Sequence, residues 1–197
     1  LIYDIIKLKS WNDMLKIIGG SSRGILLAAP KGRHTRPTLG RVRESIFNVL
    51  ANVGIIDTKI IDLFAGTGAM GLEALSRGAS SSVFIDQATR RILLENIRRT
   101  HNEGRCSVIG SDIYAGLGRL AGQKFDYVFL DPPYHSSHIQ KVLEILAAES
   151  LLAENAVVIA EHGEDETLMD GNNSAFQLWK LSRFGETAVS YLKYIKT

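Results

Sequence analysis

Cysteine is almost absent from this sequence: Cys106 is the only one in 197 residues. No intrachain disulfide and no cysteine-rich metal site can form, which fits a reducing compartment. The lone thiol is expected to act as a small buried hydrophobe. Long apolar runs are missing as well. No stretch approaches the roughly 20 apolar residues of a membrane span, and the opening "LIYDIIKLKSWND" lacks the layout and cleavage site of a signal peptide. The expected location is the cytoplasm. Acid is missing from one region: between Met14 and Arg43 there is no Asp or Glu, while Lys16, Arg23, Lys31, Arg33, Arg36, Arg41 and Arg43 are basic. The net charge of +2 conceals this asymmetry. A locally basic segment of this kind is a candidate surface for a polyanion. Repeats and low-complexity tracts are absent, and 45% apolar content predicts one sizeable core.

What the chain does contain is alternation. Apolar, β-rich runs occur at "KIIDLF", "SSVFID", "CSVIGSD", "DYVFLD" and "AVVIAE", separated by the helix-like "AMGLEALSRG", "TRRILLENIRRTHN" and "SHIQKVLEILAAESLL". That order predicts an α/β fold, a mostly parallel sheet with helices on both faces. After Glu161 the pattern changes to two strand-like runs, "FQLWKLSRF" and "AVSYLKYI", joined at Gly185. They are expected to close the sheet as a hairpin with one antiparallel strand. Upstream, "LKIIGG" and "SSRGILLAAP" read as a small basic hairpin arm over 14–36. Val42, Ile46, Val49 and Leu50 then recur at helical spacing after Pro37, with Thr38 as the expected N-cap. The domain proper is expected over 37–197, and 1–13 as an upstream extension.

Ligands of open parallel sheets sit at the carboxyl ends of the strands. Acids stand there four times: Asp62, Asp86, Asp112 and Asp131. "DLFAGTGAMG" spaces Gly66, Gly68 and Gly71 as G-x-G-x-x-G between a strand and a helix, the context of an adenosine-containing cofactor. Gly66 and Gly68 are expected to let the backbone approach that ligand, and the helix start to offer free N–H groups. Asp86, 20 residues after Gly66, ends the next strand, where a carboxylate can take both ribose hydroxyls.

The tetrapeptide "DPPY", Asp131, Pro132, Pro133 and Tyr134, bears on which cofactor. Two adjacent prolines stiffen the loop and remove its N–H groups, leaving the Asp131 carboxylate and the Pro132 carbonyl as acceptors. Two acceptors suit the two protons of an exocyclic base amine. They would hold it and help localise its lone pair toward an electrophile, while Tyr134 stacks on the base, worth roughly 1–3 kcal/mol. A dehydrogenase has no use for this set. A methyltransferase does, so the expected cofactor is S-adenosylmethionine.

Taken together, "RPTLGRVRESIFNVL", "DLFAGTGAMGLEALSRGA", "FIDQ", the "SD" at 111–112 and "DPPY" resemble the RsmD family of bacterial methyltransferases, which modify guanine 966 of 16S ribosomal RNA at N2. "LKIIGGSSRG" and "RFGETAVSYLKY" resemble that family's two ends, so the likeness runs from Met14 onward. The resemblance implies a seven-stranded class I methyltransferase fold, Rossmann-like, preceded by a small hairpin. It also implies a substrate carried on small-subunit assembly particles. Carried over by position, it implies a cofactor site of Asp62, Phe64, Ala65, Gly66, Thr67 and Gly68, with Asp86 at the ribose and Asp112 and Ile113 near the adenine. The "DPPY" role falls on Asp131 to Tyr134. The basic residues from Lys16 to Arg43 are expected to contact RNA, Arg41 and Arg43 facing either RNA or cofactor.

Two alternatives stay open at this level. "DPPY" does not name the base, so an adenine-N6 DNA methyltransferase fits the loop, although little chain remains for a DNA-reading domain. A non-catalytic RNA-binding assembly factor would keep the fold but would have little need of the intact tetrapeptide. His135 and His138 are read as solvent-facing residues at a helix start, with no metal expected. Trp11 and Trp179 are read as packing residues. A monomer is the default expectation.

Overall fold

The computed structural model describes residues 15–30, 37–168 and 175–195. The five expected apolar runs form strands β1 (Lys59–Leu63), β2 (Ser81–Ile85), β3 (Cys106–Ile109), β4 (Phe125–Leu130) and β5 (Leu152–Gly163). The two C-terminal runs are β6 (Phe176–Phe184) and β7 (Thr187–Tyr194). The helices are α1 (Pro37–Val53), α2 (Ala69–Ser76), α3 (Arg90–Arg99), α4 (Ile113–Leu117) and α5 (His138–Ala148). Strand order is β3-β2-β1-β4-β5-β7-β6. Strands β1 to β5 run parallel, and β7 lies antiparallel between β5 and β6. This is the seven-stranded, Rossmann-like α/β architecture with one antiparallel strand.

The burial of these strands follows from their composition. In β1 and β2 every residue after the first is buried, as expected where helices cover both faces of a parallel sheet. On one face Phe47 and Leu50 of α1, Leu72 of α2 and Leu93 of α3 pack on Ile60, Phe84 and Phe129. On the other, α4 and α5 bring Leu117, Val142 and Leu146 onto Ile61, Leu63 and Val128. Each such side chain contributes about 1.5–3 kcal/mol by leaving water. Chain order reverses direction between β1 and β4, which opens the crevice where such sheets bind ligands.

Two expectations need correction. Helix α1 begins at Pro37, so Thr38 lies inside it: proline's fixed φ suits a first helical position, and the helix starts on it. The five-residue α4 has no counterpart in the sequence reading. Residues 15–30 fold back as a short antiparallel pair: Lys16 bridges Leu26, and the N–H groups of Ile17 and Leu27 donate to the Ile25 and Leu15 carbonyls at 3.0 and 2.9 Å. Met14 and 31–36, the rest of the expected arm, lie outside the described residues.

This segment does not stand away from the domain. Ile17 and Leu27 are buried in the core. The N–H groups of Ile18 and Gly19 donate to the Glu73 carboxylate at 2.7 and 2.8 Å, and those of Ser21 and Ser22 to Ser76 at 2.8 and 2.9 Å. Backbone that would otherwise need water is satisfied by α2, so the segment is laid along that helix.

Candidate active site

Register sets the strand ends level. Leu63 pairs with both Ile85 and Leu130, and Ile85 pairs with Ile109. The residues that follow, Phe64, Asp86, Gly110 and Asp131, therefore emerge side by side, with the loops after β1 and β4 as neighbours.

The glycine loop is built from unusual backbone. Phe64, Gly66 and Gly68 have φ of 57°, 55° and 77°, the left-handed region that glycine enters freely and phenylalanine does not. The two glycines serve different ends. A Cβ on Gly66 would meet nothing nearer than the Phe64 carbonyl at 3.8 Å, whereas one on Gly68 would run into Leu93. Gly66 is thus the residue that leaves open space, and Gly68, expected to face a ligand, is required by packing against α3. Gly71 likewise lets α2 approach Phe84 of β2. Thr67 is held from behind: its carbonyl accepts a 2.9 Å bond from the Asn96 amide of α3, which also binds both main-chain polar groups of Ala28.

The four acids divide by environment. Asp62 is buried and accepts the Gly71 N–H at 2.9 Å, capping the start of α2. Burial pushes its carboxyl up to about 8, with Asp131 and Asp86 adding to the rise and the Gly71 bond opposing it. Asp86 accepts Gly66 N–H at 3.0 Å on one oxygen and Ala88 and Thr89 N–H at 2.8 Å on the other. It therefore shapes the loop, and as a half-buried carboxylate it keeps lone pairs for a hydroxyl. Asp112 is exposed and caps α4, accepting Tyr114 and Ala115 N–H at 3.0 and 3.3 Å. The Ile113 side chain points into the core, so any ligand contact from it has to come from its main chain. Asp131 is exposed at the rim.

Behind Asp131, Pro132 is buried and the Pro133 carbonyl accepts the Ser136 hydroxyl at 2.6 Å. The Tyr134 hydroxyl donates to Glu161 at 3.0 Å and lies 2.9 Å from Thr187 Oγ1, with the residue 38% exposed. Burial and the Glu161 charge push this phenol up to about 12, against the bond to Thr187, while burial also raises Glu161. Neither Glu161 nor Thr187 was a sequence candidate. Glu161 carried the same signal as the other four acids, since β5 pairs Ala160 with Leu130 and Glu161 follows that pair.

His138 is not the solvent-facing residue expected. It is half-buried, its Nδ1 lies 2.6 Å from the Tyr114 hydroxyl, and its ring meets Phe64 edge-on at 5.2 Å. The start of α5 is thereby locked to the loops after β1 and β3. His135 is exposed, and its N–H donates to Glu166.

Of the basic candidates, Arg23 and Arg41 are exposed and Lys16 is half-buried, while Lys31, Arg33 and Arg36 lie outside the described residues. Arg43 is a correction. It is 6% exposed, donates to the Lys16 carbonyl at 2.6 Å and sits 3.9 Å from Glu73. Buried beside Glu73, whose carboxylate it shares with Arg77, it is part of the packing between α1, α2 and the N-terminal segment and not of the exposed basic surface.

The model of a family described as conserved hypothetical protein 95 matches residues 15–193. The ribosomal RNA small subunit methyltransferase D of Escherichia coli K12 is 38% identical over 154 residues, covering 77% of this chain and 76% of that one. A putative rRNA methyltransferase, YlbH of Bacillus subtilis, is 33% identical over 158 residues, covering 78% and 85%. Among solved structures, a putative methyltransferase, yhhF of Escherichia coli, superposes with a TM-score of 0.79 at 33% identity, covering 92% and 98%.

Proposed function

Since the chain belongs to the conserved hypothetical protein 95 family, that of the RsmD methyltransferases, we propose that it methylates the exocyclic N2 of a guanine in 16S ribosomal RNA. One observation carries the chemistry: the Phe64–Gly68 loop and the Asp131–Tyr134 loop leave adjacent strands at the same level. A cofactor and a base amine held by these loops would meet in the crevice between them.

S-adenosylmethionine fits the first loop and would supply an electrophilic methyl group. The open space over Gly66 admits it, Asp86 would accept from the ribose, and Asp112 with the Ile113 main chain would lie at the adenine. The protein's own work is positioning. Asp131 and the Pro132 carbonyl would each take one N–H of the base amine, and the exposed Asp131 carboxylate can pass the released proton to water. Tyr134, tethered through its hydroxyl, would present its ring to the base. Extracting that base from its stack costs a few kcal/mol, which phosphate contacts from Lys16, Arg23 and Arg41, together with Lys31, Arg33 and Arg36, would offset. The names of the relatives support a small-subunit ribosomal RNA as substrate, and the family resemblance supports guanine N2. The working form would be a cytoplasmic monomer.

The test supplies methyl-labelled S-adenosylmethionine with immature small subunits, naked 16S RNA or duplex DNA, then digests each and identifies the labelled nucleoside. N2-methylguanosine from RNA is the expected product. N6-methyladenine from DNA would overturn the substrate, and no label despite RNA binding would leave an assembly factor.

A further inference from the structure

Helix α3 carries arginines that no ion pair among the described residues explains. Arg90, Arg91 and Arg98 are exposed, and among the described residues none has a carboxylate partner. The other two nearby are committed: Arg99 pairs with Glu95 and donates to the Leu26 carbonyl at 3.2 Å, and Arg105 donates to the Ala79 carbonyl at 3.2 Å. Arg90 and Arg91 open the helix, and its first turn holds no acid. The positive end of the helix dipole disfavours cations there, by about 0.3–1 kcal/mol each. Two arginines at that cost, in a protein whose carboxylates could have paired with them, point to an outside anion.

Their placement makes a track. Arg91 and Arg98, two turns apart, lie about 10 Å from each other on one side of the helix. The track ends at Arg98: the buried Thr100, which meets the Ser22 hydroxyl at 3.5 Å, lies half a turn round the helix from Arg91. At the other end the Arg90 side chain lies against Gly110, two residues before Asp112 at the cofactor end of the crevice. Between Arg90 and Arg98 a groove of about 280 Å³ opens against β3, its only acid Glu103.

We propose that Arg98, Arg91 and Arg90 form a phosphate track that holds the backbone of the substrate RNA beside the crevice. This rests on the reading of an RNA substrate, but it involves residues outside the proposed site. The fit is one of charge and spacing: guanidinium forks bind phosphate oxygens bidentately, and a continuous cationic line suits a polyanion better than a single ligand.

The experiment compares wild type with Arg91→Gln/Arg98→Gln, whose replacements keep helix propensity, with Arg91→Lys/Arg98→Lys, and with Arg119→Gln as an exposed control elsewhere. RNA binding is measured across a salt series, and methyl transfer as separate kcat and KM. The double Gln variant should bind RNA about tenfold more weakly, with the salt slope reduced by roughly 1.4–1.8 for two lost phosphate contacts. KM for RNA should rise in step, kcat and cofactor affinity should stay, and the Lys pair should recover most of the slope. An unchanged slope and KM in an active protein would overturn the track. So would a loss seen only on particles carrying ribosomal proteins and not on naked RNA, which would make the partner a protein. If the wild type labels no RNA while the Gln pair still lowers the salt slope, the methylation reading fails and the track stands.

Discussion

The Asn96 side chain joins Thr67 to Ala28: its amide nitrogen donates to both carbonyls at 2.9 Å, and its oxygen accepts the Ala28 N–H at 2.7 Å. The residue is completely buried. One side chain of α3 thus fixes the glycine loop and the N-terminal segment together. Asn96→Ala would strand three backbone groups, and a loss of about 2–4 kcal/mol is expected in urea unfolding. Calorimetry should show weaker S-adenosylmethionine binding as the loop loosens; full affinity in a folded variant would mean that the loop holds its shape unaided.

Glu73 is fully buried, and its carboxylate also meets Arg77 at 2.8 Å, besides the N–H groups of Ile18 and Gly19. Glu73→Gln leaves two arginines without their countercharge, and breaking a buried pair from one side costs about 3–5 kcal/mol. Limited proteolysis should then cut within 15–30 well before the rest of the domain. Simultaneous digestion of the whole chain would show that the segment and domain unfold as one unit.

Tyr134→Phe keeps the ring and removes the bonds to Glu161 and Thr187. Leaving a half-buried carboxylate without its donor costs about 1–3 kcal/mol, and a free ring stacks less well. KM for RNA should rise several-fold while cofactor affinity stays. A variant with unaltered KM would show that the hydroxyl tether does not matter to base binding.

Asp62 gives stability a pH signature in the cofactor-free protein. Its carboxyl is raised from 3.8 to about 8, so between those values the folded chain holds a proton that the unfolded chain has released. Stability from this group therefore falls as pH rises through that window and levels off above it. Asp62→Asn can still accept from Gly71 and has no charge to bury, so it should flatten the decline. Urea midpoints at pH 5, 6, 7 and 8 decide it: parallel curves for the two proteins would refute the prediction.

Much of this was legible in the chain. Apolar runs gave five of the seven strands to within a residue, because a doubly covered parallel strand has to be apolar along most of its length, whereas "CSVIGSD" overran β3 by three residues and "AVVIAE" missed the first four of β5. The four acids stood out as the polar residues at the ends of those runs, although one of them, Asp62, is buried against the start of α2. The short α4 was not legible, since "IYAGL" offers one turn and a glycine, too little for periodicity to register. Arg43 was misread although its spacing held the answer. It shares a helix face with Phe47 and Leu50, both completely buried, so the stripe that predicts α1 also carries this arginine inward. Glu161 carried the strand-end signal and was overlooked; its bond to Tyr134 was not legible, since that depends on β5 lying beside β4.

The position of β7 has a consequence for how the chain is made. It is later in sequence than β6 yet lies between β6 and β5, so the outer edge of β5 stays unpaired until residues 187–194 have left the ribosome. β5 is 12 residues long and largely buried in the finished protein. During synthesis it is an open, apolar ladder, the kind of edge on which nascent chains aggregate. Slow translation between β5 and β7 should therefore raise this protein's demand for chaperones, while leaving the mature fold unchanged.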